Sequence, residues 1–349
     1  MANINRLIKI GFIFLFGLCF AQKPYRVGTT AASFLELGYD SRGISMGNAQ
    51  VSVENGLNSV YWNPAGLVSS NRSEINLMIQ PWILDIRQSI IGISYPIKRN
   101  INISLGYFGV QYGKEKVTTV FDQDGIGETF DGHDMSLNIT TSIRITDQFN
   151  FGISGKYIHS RIWKINASAL CLDMGTIIKT DFLQINQNPS TGIILGMSIS
   201  NYGTRMRYDG IGLKYTTDIS EDDGNYEYIS VRFDTDYWEL PLLFRLGLSW
   251  SPIYTKQSQL MLTTDAVHPN NNSEYLNLGI EYLNIFSHSE IAIRAGYKGL
   301  YMDKTQFGLS FGMGVKINFK KDSYTQIDLA IRKMEIFGWM KSFTVGVTL

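Results

Sequence analysis

From Glu74 to Leu349 the chain repeatedly alternates apolar with polar residues at a period of two. The last stretch is the clearest. Phe343, Val345, Val347 and Leu349 alternate with Ser342, Thr344, Gly346 and Thr348 up to the final residue. Such a segment, extended as a strand, carries one apolar face and one small or polar face. Candidate strands begin near Glu74, Arg87, Ile101, His133, Phe149, Ile165, Gly192, Leu240, Gln259, Glu274, Glu290, Thr305, Tyr324 and Lys341. That makes about fourteen, and a membrane-crossing strand needs roughly 9–11 residues in a barrel with an even strand number. Past the N-terminus there is no run of ~18 apolar residues of the kind a membrane helix requires. The expectation is an all-β fold, a transmembrane antiparallel β-barrel spanning 73–349.

Connector lengths point the same way. With both barrel ends in the periplasm, the short links Lys98-Arg99-Asn100, Thr146-Asp147-Gln148 and Lys320-Lys321-Asp322 fall on the periplasmic side. The long polar connectors, Gly113 to Gly132 and Gly203 to Glu239, fall outside, as barrels of the outer membrane arrange them. Phe182 to Thr191 is a longer periplasmic link, and the outer turns near Leu84 and Lys164 are tight. Tyr95, Tyr107, Tyr112, Tyr157, Trp163, Trp250, Tyr297 and Trp339 fall near strand ends, where aromatic girdles lie. Charged residues are 18 % of the chain, below the quarter or so usual for soluble proteins. Basic and acidic residues balance at 31 each, which offers no field to gather nucleic acid.

Residues 1–21 read as a signal peptide. Arg6 and Lys9 precede an apolar core from Ile10 to Phe20, with Cys19 and Ala21 as small residues before a cut at Gln22. Leu18 before Cys19 argues against a lipoprotein signal. The mature chain then keeps only Cys171, which excludes an internal disulfide. The block 22–72 lacks alternation and is rich in small residues; Leu35 to Met46 is a candidate short helix, and Gly66 suits a tight turn. A segment of this size before the first strand can fold into the barrel as a plug, or hatch.

If the apolar faces meet lipid, the alternate positions face the lumen. A charge facing hydrocarbon mid-barrel costs roughly 2–4 kcal/mol for Arg or Lys. This places Arg245, Asp265, Glu281, Arg294, Lys316, Asp328 and Arg332 inside, with Arg144, Lys156 and Asp173 on earlier strands. A salt-bridged lumen supporting wall and hatch, or a hydrophilic conduction path, would use the same residues. Phe34, Leu37 and Trp62 are candidates to line an apolar cavity beside the hatch, or to pack the hatch on the wall.

Catalytic chemistry is sparse. His133, His159, His268 and His288 lack metal-ligand spacing. His133-Asp134 invites comparison with a rim hydrolase, but no nucleophile signature accompanies it. Asp122-Gln123-Asp124-Gly125 with Glu128 is too short for an EF-hand, and Glu221-Asp222-Asp223 reads as solvated surface. No catalytic residue, metal ligand or cofactor is assigned.

One resemblance runs across most of the mature chain. Ser41-Arg42-Gly43-Ile44-Ser45-Met46-Gly47-Asn48-Ala49, leading to Tyr61-Trp62-Asn63-Pro64-Ala65-Gly66-Leu67, resembles the N-terminal signature of the PorV/PorQ family. Gly155-Lys156-Tyr157-Ile158, Ile199-Ser200-Asn201-Tyr202-Gly203, Phe244-Arg245-Leu246-Gly247, Asp265-Ala266-Val267-His268-Pro269-Asn270 and Arg294-Ala295-Gly296-Tyr297 continue it in order. The resemblance implies an outer-membrane, FadL-like barrel of fourteen strands with a lumenal hatch, Asn63, Pro64, Ala65 and Gly66 resembling the hatch motif. It implies two functions. PorV-like proteins act in type IX secretion, binding the C-terminal sorting domain of cargo leaving the translocon barrel, with contacts expected in the outer loops. FadL-like proteins pass hydrophobic small molecules through the barrel wall. A structural barrel without cargo is a third reading of the same scaffold.

Overall fold

The structure is a computed structural model, and it describes residues 26–218, 229–320 and 323–349. The signal segment 1–21, Lys321-Asp322 and Glu221-Asp222-Asp223 lie outside the described residues.

Alternation becomes wall through hydrogen bonding between sequence neighbours. Among the described residues fourteen long strands form one antiparallel sheet. They are β1 (Glu74–Pro81), β2 (Arg87–Lys98), β3 (Ile101–Lys116), β4 (Thr129–Thr146), β5 (Phe149–Ile162), β6 (Ile165–Lys179), β7 (Ile194–Gly203), β8 (Leu243–Tyr254), β9 (Ser258–Pro269), β10 (Tyr275–Ile285), β11 (Ser289–Leu300), β12 (Leu309–Lys320), β13 (Ser323–Met334) and β14 (Gly338–Thr348). β1 pairs with β14, Glu74 opposite Thr348 and Ile79 opposite Phe343, so the sheet closes on itself and keeps no free edge at this seam. The register fixes which face each residue takes. On β1, Ile75, Leu77 and Ile79 point outward and are exposed, while Glu74, Met78 and Gln80 point inward and are buried. On β14, Phe343 faces out and Ser342, Thr344 and Thr348 face in. An apolar exterior over a polar interior is the inverse of a soluble sandwich and matches a wall bathed in hydrocarbon.

The strands are longer than sequence periodicity suggests on the outer side. β3 and β4 carry on as a hairpin, Lys116 opposite Thr129, so both ends of the expected 113–132 loop are strand. Within the expected 203–239 loop, Lys214–Thr217 pairs with Ile229–Arg232, and Asp209–Gly210 adds to β6. Tyr112 is not in the girdle row, because alternation places it two positions past inward-facing Val110, and its hydroxyl donates to the carboxylate of inward-facing Asp134.

The segment 26–73 fills the lumen. In place of one helix over Leu35 to Met46 there is a 3-10 turn, Ser33–Glu36, and a single-turn helix α1, Ser41–Ser45, capped by the Asp40 carboxylate on the Gly43 amide at 2.7 Å. Gly38, between them, and the extended Leu37 interrupt the helix. Pro64–Ser69 is a 3-10 helix that runs through Gly66, with Asn63 as its cap and Pro64 at its first position.

Candidate functional site

The site is built where hatch meets wall. A plug without regular structure of its own must satisfy its backbone elsewhere, and the inward-facing strand residues do this around the barrel. Thr344 of β14 accepts from the Ser41 amide at 3.0 Å. Asp265 of β9 accepts from the Gln50 and Val51 amides at 2.7 and 3.0 Å. Glu74 of β1 accepts from the Leu57 amide at 2.6 Å. Ser198, Ser142, Asn102 and Gln88 donate to the carbonyls of Trp62, Ala65, Leu67 and Gly38.

Asn63 is the most connected residue of the hatch motif. Its amide nitrogen donates to the Val51 carbonyl at 2.8 Å and to the Thr176 carbonyl of β6 at 2.9 Å, and its oxygen accepts from the Ala65 amide at 3.1 Å. It joins two hatch turns to the wall. Pro64 and Ala65 lie against β5, and Gly66 lies so close to Ser59 that a Cβ would stand 2.5 Å from its side chain.

Sequence reasoning missed what lets the backbone come so near. Gly152 of β5 sits directly opposite Gly175 of β6, Gly196 of β7 opposite Gly247 of β8, and Gly279 of β10 opposite Gly296 of β11. All face the hatch. A Cβ on Gly152 would strike the Pro64–Ala65 backbone, one on Gly175 would strike Asn63, and ones on Gly196 or Gly247 would strike Val51 and Ser52. At Gly279 it would lie 2.7 Å from the Met46 carbonyl oxygen, and at Gly296 it would overlap Met46 and Gly47. Gly47 itself has φ 62°, where a side chain is strained as well as crowded by the Leu278 carbonyl at 2.6 Å. The signal was present as glycines at lumen-facing positions, but only the register brings them together in pairs.

The lumenal charges divide. Glu281, Arg294 and Asp328 do meet: Arg294 contacts Glu281 through Nε and Asp328 through Nη1, the latter at 2.6 Å. The hatch supplies the fourth member, Arg42, whose Nε and Nη2 donate to the two Glu281 oxygens at 2.8 and 2.7 Å. Asp265 serves the hatch amides, and Arg245 donates to Ser200 at 2.9 Å with Tyr61 under its guanidinium. Lys316 stands apart from this group, paired with Glu290 at 3.0 Å. Lys156 and Asp173 form a separate buried pair at 2.5 Å. Arg332 donates to Asn48 of the hatch.

Of the candidate cavity residues, Phe34 lines a cleft of about 480 Å³ at the outer rim together with Ala32, Phe130, Tyr208 and Trp238. Its ring packs 5.2 Å from Phe108. Leu37 is partly buried against the hatch core. Trp62 is enclosed, its indole N–H donating to Asp40 at 2.8 Å and its ring edge-on to Tyr61. Burial pushes the Asp40 carboxyl above its ordinary range, the Trp62 and Gly43 hydrogen bonds working against it. The comparison of His133-Asp134 with a hydrolase fails on geometry, because adjacent residues of β4 point to opposite faces: Asp134 is buried inside and His133 is outside against His159.

A closed antiparallel barrel with an apolar exterior and a hatch seated in its lumen defines a plugged outer-membrane β-barrel. A family profile described as type IX secretion system protein PorV matches residues 20–229, and the chain belongs to that family. No curated protein matches the sequence. Among solved structures, the fold is similar to the toluene transporter TodX of Pseudomonas putida, with 12% identity, 89% of this chain and 97% of that one covered, and a TM-score of 0.56. The toluene transporter TbuX of Ralstonia pickettii gives 11% identity, 89% and 97% coverage, and a TM-score of 0.55. A Pseudomonas aeruginosa FadL homologue gives 9%, 88%, 97% and 0.55. At these identities the likeness concerns the fold.

Proposed function

We propose that this outer-membrane barrel binds partner or cargo proteins at its outer rim in type IX secretion or surface attachment. The observation that carries this reading is the seated hatch. With the wall glycines pressed onto the hatch backbone, the lumen is filled at that level, and the surfaces available for work face outward. The described parts of the 203–239 connection, 203–218 and 229–239, supply exposed polar surface there. Its Arg205–Glu239, Arg207–Asp234 and Arg232–Asp209 pairs are exposed, and Tyr215 stacks on Phe233 across its small hairpin. Cargo bearing a C-terminal sorting domain and a translocon barrel are the proposed partners. Replacing 204–238 with a short Gly-Ser link, followed by affinity purification from outer membranes, tests this. Loss of co-purifying secreted proteins is expected; unchanged cargo binding and surface display would sink the reading.

A second reading, passage of hydrophobic small molecules, is favoured by the rim cleft around Phe34. The aromatic wall suits an apolar ligand. Extraction of the purified barrel, followed by mass spectrometry, tests it: a stoichiometric apolar molecule, lost in Phe34→Ala, is the expected result. A barrel without such a molecule counts against passage.

A further inference from the structure

The exterior of the wall is not uniform. Across β2 to β7 it hollows into an apolar groove of about 1030 Å³, with Ile91, Leu105, Leu137, Ile139, Leu170 and Leu172 among its lining. Gly155, on the outward face of β5, leaves the floor open: a Cβ there would meet only Leu172, at 3.9 Å. The groove is apolar along most of its length and ends abruptly at the outer side. There the Tyr157 hydroxyl lies 3.1 Å from Ser168 Oγ, which lies 3.0 Å from His159 Nδ1. The His159 ring leans on His133, 5.9 Å between centroids. Two residues further along β5, Arg161 pairs with Asp131 at 2.7 Å while remaining partly exposed, and Lys164 sits 4.3 Å over the Trp163 ring.

Along β5, Tyr157, His159 and Arg161 share the outward face. At about 3.4 Å per residue they step through some 14 Å, from the end of the hydrocarbon into the headgroup layer. We infer that this wall holds one phosphate-bearing lipid of the outer leaflet, an acyl chain in the groove and the phosphate at His159, Arg161 and Lys164. Charge complementarity selects this occupant. Among the described residues the carboxylates at the polar end are already matched, Asp131 by Arg161 and Asp209 by Arg232, while Lys164 and the imidazoles add donors beyond these pairs and aromatic rings frame the cluster as interfacial girdles do. Bulk lipid would wet a smooth wall equally; a hollow joined to a donor cluster favours one molecule in one pose. The inference stands apart from the secretion reading, since it concerns the wall and not the rim loops.

The test uses the full barrel, purified in dodecyl maltoside, stripped of lipid and titrated with phosphatidylglycerol while native mass spectrometry counts what is bound. One tightly held phosphatidylglycerol is expected. Gly155→Phe fills the groove with a lipid-compatible ring, and the pair His159→Ala with Arg161→Gln removes the head contacts. Each is expected to lower occupancy about tenfold, the scale of one charge-assisted contact, while Ala295→Phe on another wall leaves it unchanged. Heat-modifiable gel mobility confirms that each variant is folded. Equal occupancy in wild type and both variants overturns the site. Diacylglycerol held as tightly as phosphatidylglycerol overturns the role of the phosphate. Displacement by millimolar inorganic phosphate would make the cluster a phosphate site without a lipid. A partner barrel lost from Gly155→Phe with lipid retained would assign the groove to protein.

Discussion

Arg42 of the hatch and Glu281 of the wall meet through two hydrogen bonds, 2.8 Å from Nε and 2.7 Å from Nη2, in a pair that is almost wholly buried. Glu281 also holds Arg294, which holds Asp328, so the hatch enters an ion network already formed along the wall from β10 to β13. Removing one partner of such a pair leaves an uncompensated buried charge.

Arg42→Met is therefore expected to cost about 3–5 kcal/mol, read as a lower temperature for loss of heat-modifiable mobility and faster proteolysis of the hatch. Adding Glu281→Gln to Arg42→Met should recover part of the loss, because the stranded carboxylate is gone. No recovery in the double variant would show that Arg42 acts by packing alone.

The glycine seat makes a second prediction. Gly296→Val forces a branched side chain into Met46 and Gly47. Overpacking costs typically 1–3 kcal/mol, and the new side chain pushes directly on the hatch backbone. The variant barrel should fold but conduct ions in planar bilayers where wild type is closed. Gly308→Ala, whose Cβ meets nothing within 4 Å, should stay closed.

Asn63→Ala removes two donors and one acceptor at once, and buried groups left unpaired cost about 1–3 kcal/mol. Asn63→Asp should be worse, since it aims a carboxylate at the Val51 and Thr176 carbonyls. The order of thermal stabilities, wild type above Ala above Asp, checks this.

Glu36 provides the pH prediction. Burial raises its carboxyl above the ordinary value, against the hydrogen bond from Asn271. A raised acid binds its proton more tightly in the folded state, so its stabilising share is present below the ordinary carboxylate range and fades as pH rises through the raised value. Glu36→Gln should match wild type near pH 4 and gain on it progressively toward pH 8. A constant difference across that range would refute the assignment.

The fourteen strands were legible because alternation is local: each segment declares its two faces without reference to its neighbours. The plug as a block was legible for the opposite reason, being the long stretch that declines to alternate. Other features depend on partners far away in sequence. Arg42 carries no sign that Glu281 awaits it across 239 positions, and the glycine pairs exist only once β5 lies on β6 and β7 on β8. His133 and Asp134 stand side by side in sequence but on opposite faces of β4, which only the strand makes plain. Tyr112 misleads because it continues the inward row of Phe108 and Val110, not the outward row of Tyr107.

The seat between wall glycines and hatch backbone has a consequence for biogenesis. Contacts this close leave no clearance for a finished barrel to be threaded afterward by residues 30–70. Both flanks of the β1–β14 seam hold the hatch, Glu74 through Leu57 and Thr344 through Ser41. β14, which follows the hatch in the chain, then closes on β1 around a segment already made, and the hatch serves as the mandrel on which the cylinder is wound.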